Sequence, residues 1–533
     1  MCIRDRPEAA YVKVNGKSLS ELVNEPLDDL LEFFNTITLS AQQQEVADRL
    51  LIEIKSRLNF IKDVGLGYLT LNRKSNSLSG GESQRINLST SLGSSLVGSM
   101  YILDEPSIGL HSRDNDRLIK ILKKLRDLGN TVLVVEHDEE IMQAADCIID
   151  MGPEAGTLGG AVVAQGTMTE ILQSPSLTAQ YLTGQMKIEV PAIRRTNTEQ
   201  IIVVGARENN LQNITAHFPL NSMTVVTGVS GSGKSTLVKK ILYPALQREL
   251  DIFVEKPGQF TKLDGNYSSI KHVEFIDQNP IGRSSRSNPV TYIKAYDDIR
   301  ALFASQPLSK MRNYQAKHFS FNVDGGRCEA CKGEGTVTIE MQFMADVVLQ
   351  CEHCKGRRFK REVREVKFEG KSIDDILGLT VDDAIAFFEE HAQAKLVKKL
   401  SPLQKVGLGY VSLGQSSATL SGGEAQRIKL ASFIGKGDHR DKILFIFDEP
   451  TTGLHFHDIK KLLTSFEALL EKGHSLIVVE HNIDLIKCAD HVIDLGPEGA
   501  NKGGTLLGEG TPEELSKIKA SFTGKYLKRK LKS

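Results

Sequence analysis

The feature that most constrains this chain is a long internal repeat. GLGYLTLNRKSNSLSGGESQRINL begins at Gly65, and GLGYVSLGQSSATLSGGEAQRIKL begins at Gly407. MYILDEPSIGLH ends at His111, and LFIFDEPTTGLH ends at His455. TVLVVEH and SLIVVEH follow, ending at His137 and His481, and IIDMGPEAGTLGG and VIDLGPEGANKGG close each copy. The offset is 342 residues at the first block and 344 at the others. Chance does not set four matching blocks in one order at one spacing, so the chain carries one module twice. NGKSLSELVNEPL from Asn15 and EGKSIDDILGLTV from Glu369 extend the match.

The copies are unequal. The second has a long leader from about Pro191, with strand-like IIVVGARENNL at its head, and the first begins almost at residue 1. The seam therefore falls near residues 185–200, and the first copy reads as truncated. The expected division is a 1–10 tail outside the repeat, a first-module remnant over 11–190, and a second module over 191–533. An insertion is expected in the second at about 250–420. The opening MCIRDR reads as a cloning or assembly scar.

A chain of 533 residues, 40% hydrophobic and 25% charged, has material for roughly three or four domain-sized units. No apolar run approaches the ~20 residues of a membrane span, which excludes a fused transporter. The charged N-terminus is not a signal peptide, so a cytoplasmic chain without a membrane partner is expected. Lys and Arg number 66 against 67 Asp and Glu, so overall charge does not select a polyanionic partner.

GVSGSGKST, residues 228–236, follows the apolar MTVV and precedes a helical LVKKIL run. Strand, glycine loop and helix form the context of a phosphate-binding loop, whose N–H groups point at an anion where the helix dipole is positive. Gly228, Ser230, Gly231, Gly233 and Thr236 line it. Lys234 is expected on the β- and γ-phosphates, and Ser235 on Mg2+. The apolar Ile443–Phe447 run delivers Asp448 towards Mg2+ and Glu449 towards the attacking water. His481, after SLIVV, is placed to bond the γ-phosphate, and Gln278 in FIDQNP to reach Mg2+ and water.

LSGGE occurs at Leu78–Glu82 and Leu420–Glu424 and identifies the ABC ATPase superfamily. Ser79, Gly80 and Gly81, like Ser421, Gly422 and Gly423, open a helix as an anion site that faces the γ-phosphate of the opposing module. The fold class expected is α/β, with two ABC-type P-loop modules and the first truncated. No GxxxxGK[ST] precedes residue 228. Head-to-tail pairing would complete one ATP site, from Lys234, Ser235, Gln278, Asp448, Glu449 and His481 with Ser79–Gly81. The other would hold Asp104, Glu105, His137 and Ser421–Gly423 without a P-loop.

Seven cysteines include Cys328-x2-Cys331 and Cys351-x2-Cys354, separated by nineteen residues. That spacing matches a closed four-thiolate Zn2+ site, inserted in the second module. Cys147 and Cys488 read as core filler. Basic residues gather around the insertion: seven over Ile281–His318, including Arg283 and Arg286, and seven over Lys355–Lys367. The tail GKYLKRKLKS adds five. Such density suits contacts to DNA phosphates.

With IDQNPIGRSSRSNPVTY, the paired CxxC spacing, LSGGEAQR and two DEPxxGLH segments, the chain from about residue 11 resembles the family of the A subunit of the UvrABC excinuclease. The resemblance implies a DNA-damage-sensing ATPase of bacterial excision repair that uses ATP, Mg2+ and Zn2+, binds damaged double-stranded DNA, forms a homodimer and loads the B subunit. It places Arg283 and Arg286 near DNA and implicates the zinc module in damage discrimination. Family members carry a P-loop, another zinc module and B-subunit-contacting domains before the first LSGGE, and none is found here. Three other readings stay open at this point: a drug-resistance paralogue of the same family, a ribosome-associated ABC ATPase, and a non-catalytic DNA clamp that binds ATP but hydrolyses it slowly.

Overall fold

The computed structural model describes residues 10–75, 78, 80–93, 97–252, 255–282, 286–339, 341, 347–435 and 441–532. Of the residues singled out above, Ser79 and Arg283 lie outside the described residues.

In the first copy, β1 (Met100–Asp104) pairs in parallel with β2 (Thr131–Val135), and β3 (Ile148–Gly152) pairs antiparallel with β4 (Ala161–Gly166). These are two separate two-stranded sheets. Leu103 packs with Leu66 of the GLGY loop and with Leu30, Leu118 and Leu125 from helices over Leu27–Thr36 and Ser112–Asp127.

The second copy opens with β5 (Gln200–Ala206), β6 (Ile214–Pro219) and β7 (Met223–Gly228), followed by β8 (Lys262–Gly265) and β9 (His272–Ile276). A hairpin of β10 (Thr336–Ile339) and β11 (Val347–Gln350) belongs to the insertion. Then come β12 (Ile443–Asp448), β13 (Ser475–Val479), β14 (His491–Gly496) and β15 (Thr505–Gly510). β5, β6 and β8 form an antiparallel sheet in the order β8-β5-β6. The main sheet has the order β9-β12-β13-β7-β14-β15, parallel throughout except for β15.

Alternating side chains explain why both faces of that sheet are covered. Val226, Leu444, Ile446, Ile477, Val479, Ile493 and Leu495 point to one core, shared with Ile201, Val203, Ala216 and Phe218 of the antiparallel sheet and with Leu237 and Ile241 after the P-loop. Val225, Phe445, Phe447, Leu476, Val478 and Val492 point to the other, shared with the Phe456–Glu471 helix and the helices around the insertion. β7 sits at the centre of the sheet, so the loop at its C-terminal end is held by neighbours on both sides. Among the described residues, no helix is long and apolar enough to cross a membrane.

Candidate active site

The glycine loop leaves β7 at Gly228 and turns into helix at Thr236. Gly228, Gly231 and Gly233 all take positive φ (134°, 76° and 107°). A Cβ on Gly228 would lie 2.0 Å from the Leu495 carbonyl oxygen of β14, so only glycine fits. Lys234 is buried, and its Nζ donates to the carbonyls of Gly228 and Val229 at 3.0 Å each. Burial lowers its pKa to about 8, against the pull of Glu449, Asp494, Asp114 and Asp448.

β12 and β13 are neighbours in register, and their ends bring the remaining groups together. Asp448 ends β12, and Glu449 N donates to Val479 O at 2.9 Å. Glu449 then adopts a positive φ of 46°, a conformation that glutamate rarely takes and that turns its carboxylate off the strand. Glu105 does the same in the first copy, with φ 47°. His481 Nε2 lies 3.9 Å from Glu449 Oε1, and His137 Nε2 lies 3.7 Å from Glu105 Oε1. Burial, then the charges of Asp448 and Glu480, lift the Glu449 carboxyl to about 7. Burial also raises Asp448, and together with the Lys234 cation it holds His481 far below the ordinary histidine range.

The two copies meet across this site head to tail. Ser230 Oγ donates to Gly109 O, in the first copy's DEPSIGLH, at 3.0 Å. A Cβ on Gly109 would approach Glu449 Oε2 to 3.4 Å, and one on Gly231 would strike the Tyr68 ring at 2.9 Å. Tyr68 OH in turn donates to Glu82 Oε1 at 2.6 Å, which ties GLGY to the LSGGE helix over Gly80–Gly93. Arg113 reaches Glu498 through two 2.9 Å hydrogen bonds. The P-loop, Asp448, Glu449 and His481 are thus joined by the first copy's GLGY and DEP segments, with Gly80 and Gly81 on the helix those segments support.

The reciprocal half-site is also assembled. Gly453 lies against Glu105, with a hypothetical Cβ at 3.0 Å from its Oε1, and Gly156 lies against Tyr410. Tyr410 OH donates to Glu424 Oε1 at 2.8 Å. Ser421 caps the Gly422–Ile434 helix in a reciprocal box with Glu424. Asp104 ends β1, next in the chain to Glu105, whose Oε1 faces His137. A cavity of about 410 Å3 lies between the two DEP loops, with Glu105, His137, Glu449 and His481 on its walls. Gln278, expected at Mg2+ and the water, stands beside the loop that follows Glu449. Its Nε2 donates to Glu449 O at 3.1 Å and Thr452 Oγ1 at 3.0 Å, which commits that nitrogen to the loop after Glu449.

Two groups escaped the reading of the sequence. Glu480 is buried and accepts from the N–H groups of Thr451 (2.9 Å), His481 (2.5 Å) and Asn482 (2.9 Å). It clamps the DEP loop to the strand bearing His481, as Glu136 does with Ser107 N at 2.8 Å. Its signal was the glutamate present in both VVEH segments. The second group is Thr178 and Thr523, in S-L-T-A-Q-Y-L and S-F-T-G-K-Y-L, a further repeated block at offset 345.

In the insertion, Cys328, Cys331, Cys351 and Cys354 are buried, and their Sγ atoms all lie within 4.8 Å of one another. Two Sγ–Sγ distances are 4.0 and 3.6 Å. A tetrahedral ion with Zn–S bonds of ~2.3 Å spaces its thiolates about 3.8 Å apart, so the four fit Zn2+. Gly335 N donates to Cys331 Sγ at 3.3 Å, as a knuckle does to a thiolate.

Many of the basic residues counted around the insertion are engaged inside the chain. Arg286 faces Glu334, Arg300 pairs with Asp297, Arg312 with Glu365, and Arg357 and Arg364 with Asp374. The C-terminal run is a packed helix over Phe522–Lys530, with Lys530 bonded to Glu139 of the first copy at 2.8 Å. Basic density alone therefore overstates the charge open to a polyanion.

No family model matches the chain. UvrABC system protein A of Clostridium perfringens (strain 13 / Type A) is 53% identical over 530 residues, 99% of this chain and 56% of that protein. The Lactococcus lactis subsp. lactis protein of the same name is 53% identical over 527 residues, 98% of this chain and 56% of its own length. Among solved structures, UvrA2 from Deinococcus radiodurans superposes with a TM-score of 0.92 at 40% identity, covering 99% of this chain and 65% of that one. The chain thus spans a little over half the length of the curated relatives it matches.

Proposed function

The chain is a relative of UvrABC system protein A, and from that premise we propose that it is an ATP-hydrolysing, DNA-binding component of nucleotide excision repair with one complete ATP site. The supporting observation is the head-to-tail contact that sets Ser230, Gly231 and Glu449 against Gly109 and Tyr68 of the other copy.

At this site the P-loop amides and Lys234 bind the β- and γ-phosphates, and Ser235 and Asp448 would hold Mg2+, which neutralises phosphate charge when bound. Ser79–Gly81 cap the γ-phosphate from the opposing module. Glu449, poised to titrate near neutral pH, orients the attacking water and accepts its proton, while neutral His481 donates to the γ-phosphate. Asp104, Glu105, His137 and Ser421–Gly423 form the half-site without a P-loop from residues 10–190. The boundary between the modules lies near residues 185–200, and Cys328, Cys331, Cys351 and Cys354 hold a structural Zn2+. Damaged duplex DNA is the substrate surface, with Arg283 and Arg286 among its contacts. The homodimer, the cytoplasm and B-subunit loading follow from the relatives and belong to this proposal.

The test is ATP turnover with and without damaged duplex in the wild type, Lys234→Ala and Ser79→Ala. Both variants are expected to lose turnover, and damaged duplex is expected to change the wild-type rate. Full activity in Ser79→Ala would remove the head-to-tail site, and an unchanged rate with DNA would remove the coupling.

A further inference from the structure

We infer that Thr523, near the C-terminus, is a positioning residue for ATP hydrolysis, acting through a buried hydrogen-bond relay that fixes the first module's DEP loop onto β14, the strand beside the second module's P-loop strand. The inference rests on the composite site proposed above.

The relay has a defined direction. Arg113 N–H donates to His111 Nδ1 at 3.2 Å, so the ring proton sits on Nε2. Nε2–H then donates to Thr523 Oγ1 at 3.0 Å, and the threonine hydroxyl donates to Asp494 Oδ1 at 3.4 Å. Ser521 Oγ donates to Asp494 Oδ2 at 2.5 Å and accepts from Gly524 N at 2.7 Å. His111, Ser521 and Thr523 are fully buried and Asp494 is 1% exposed, so no water substitutes for a lost partner.

Both ends of the relay lie at the site. Asp494 ends the regular part of β14, paired with Thr227 beside the root of the P-loop, and Leu495 pairs with Gly228. His111 closes the loop whose Gly109 carbonyl receives Ser230 and whose glycine faces Glu449. Its ring also stands edge-on to that of His481, 6.1 Å between centroids. A shift of His111 therefore moves the opposing loop against Glu449 and His481, where small displacements reduce rate more than binding.

The same relay recurs on the other side: His457 N to His455 Nδ1 at 3.3 Å, His455 Nε2 to Thr178 at 3.3 Å, and Thr178 to Asp150 at 2.9 Å. There Asp150 lies on β3, which adjoins no P-loop strand among the described residues. The duplication supplies an internal control.

Steady-state ATP hydrolysis by the full chain tests this in Thr523→Val, Thr523→Ser, Asp494→Asn and Thr178→Val. Thr523→Val keeps the shape and removes the hydroxyl, and should lower kcat about tenfold with KM for ATP within about twofold. Thr523→Ser should restore kcat to within about twofold of the wild type. Asp494→Asn, which leaves one of two donors unmatched, should fall between, and Thr178→Val should lose less than about twofold. Wild-type kcat in Thr523→Val, equal losses in the valine and serine variants, or an effect on KM alone would overturn the relay. If Thr523→Val does not fold, wild-type kcat in Asp494→Asn overturns it instead. Turnover surviving in Lys234→Ala would remove the composite site, a failure separate from these.

Discussion

β1 and β12 carry nearly the same words, MYILD and ILFIFD, and meet opposite environments. Met100 and Ile102 of β1 are 65% and 66% exposed, whereas Phe445 and Phe447 of β12 are fully buried. β2 and β13 differ in the same way. Every residue of β13 is buried, while Leu133 and Val135 of β2 face out beside a groove of about 1800 Å3 that also runs along β3. The difference lies in neighbours. In the second copy β7 runs between β13 and β14, and the antiparallel sheet and the helix after the P-loop close that face. Among the described residues no strand lies between β2 and β3. A strand's own pattern fixes its period, and its neighbours decide whether it is core. The same addition supplies the phosphate loop, so the strand that buries the sheet is also the strand that makes a site out of Asp448 and Glu449.

The two strands β1 and β12 should differ most in their contribution to stability. Phe445→Ala should cost about 3–5 kcal/mol in denaturant unfolding. Ile102→Ala should change stability by no more than about 0.5 kcal/mol, and an equal cost would show that β1 is buried in solution.

The next contrast is in turnover. Glu449→Gln should slow ATP hydrolysis about 100-fold or more, as expected when a positioned proton acceptor is lost, and Glu105→Gln should stay within about twofold. Comparable losses would make the two halves equivalent.

Metal content tests the insertion of the second copy. The wild type should carry about one Zn2+ per chain and Cys331→Ser little, with loss of protection of the β10–β11 hairpin in hydrogen exchange. Wild-type protein without zinc would reject the module.

The smallest effect is in pH. Glu449, lifted to about 7, must be ionised to take a proton, so kcat/KM should fall as pH drops through about 7. Lys234, lowered to about 8, must stay charged, so kcat/KM should also fall above about 8. Bound phosphates favour the ammonium, so the upper limb should move to higher pH in kcat. In stability the sign is opposite for the carboxyl. With its folded pKa raised from 4.5, Glu449 opposes folding increasingly between 4.5 and about 7 and by a constant amount above, so Glu449→Gln should relieve that loss at pH 8.

Much of this was legible in the sequence because the chemistry is local. The P-loop, both LSGGE helices, both DEP segments and the four cysteines are contiguous patterns, and each falls on the element its spacing required. Glu480 and Thr523 were not read because their roles depend on which loop folds over them. A glutamate after VV becomes a clamp only when Thr451 and Asn482 turn their N–H groups inwards. The basic stretches show the reverse. Arg312 and Arg364 suggested phosphate contacts until their acidic partners, Glu365 and Asp374, were brought beside them by the fold.

The claim that two copies make one working site is tested most directly by counting ATP bound to Glu449→Gln protein, in which hydrolysis is blocked. One ATP per chain, lost on adding Lys234→Ala, is the predicted result. Two ATP per chain, or one that survives Lys234→Ala, would contradict it.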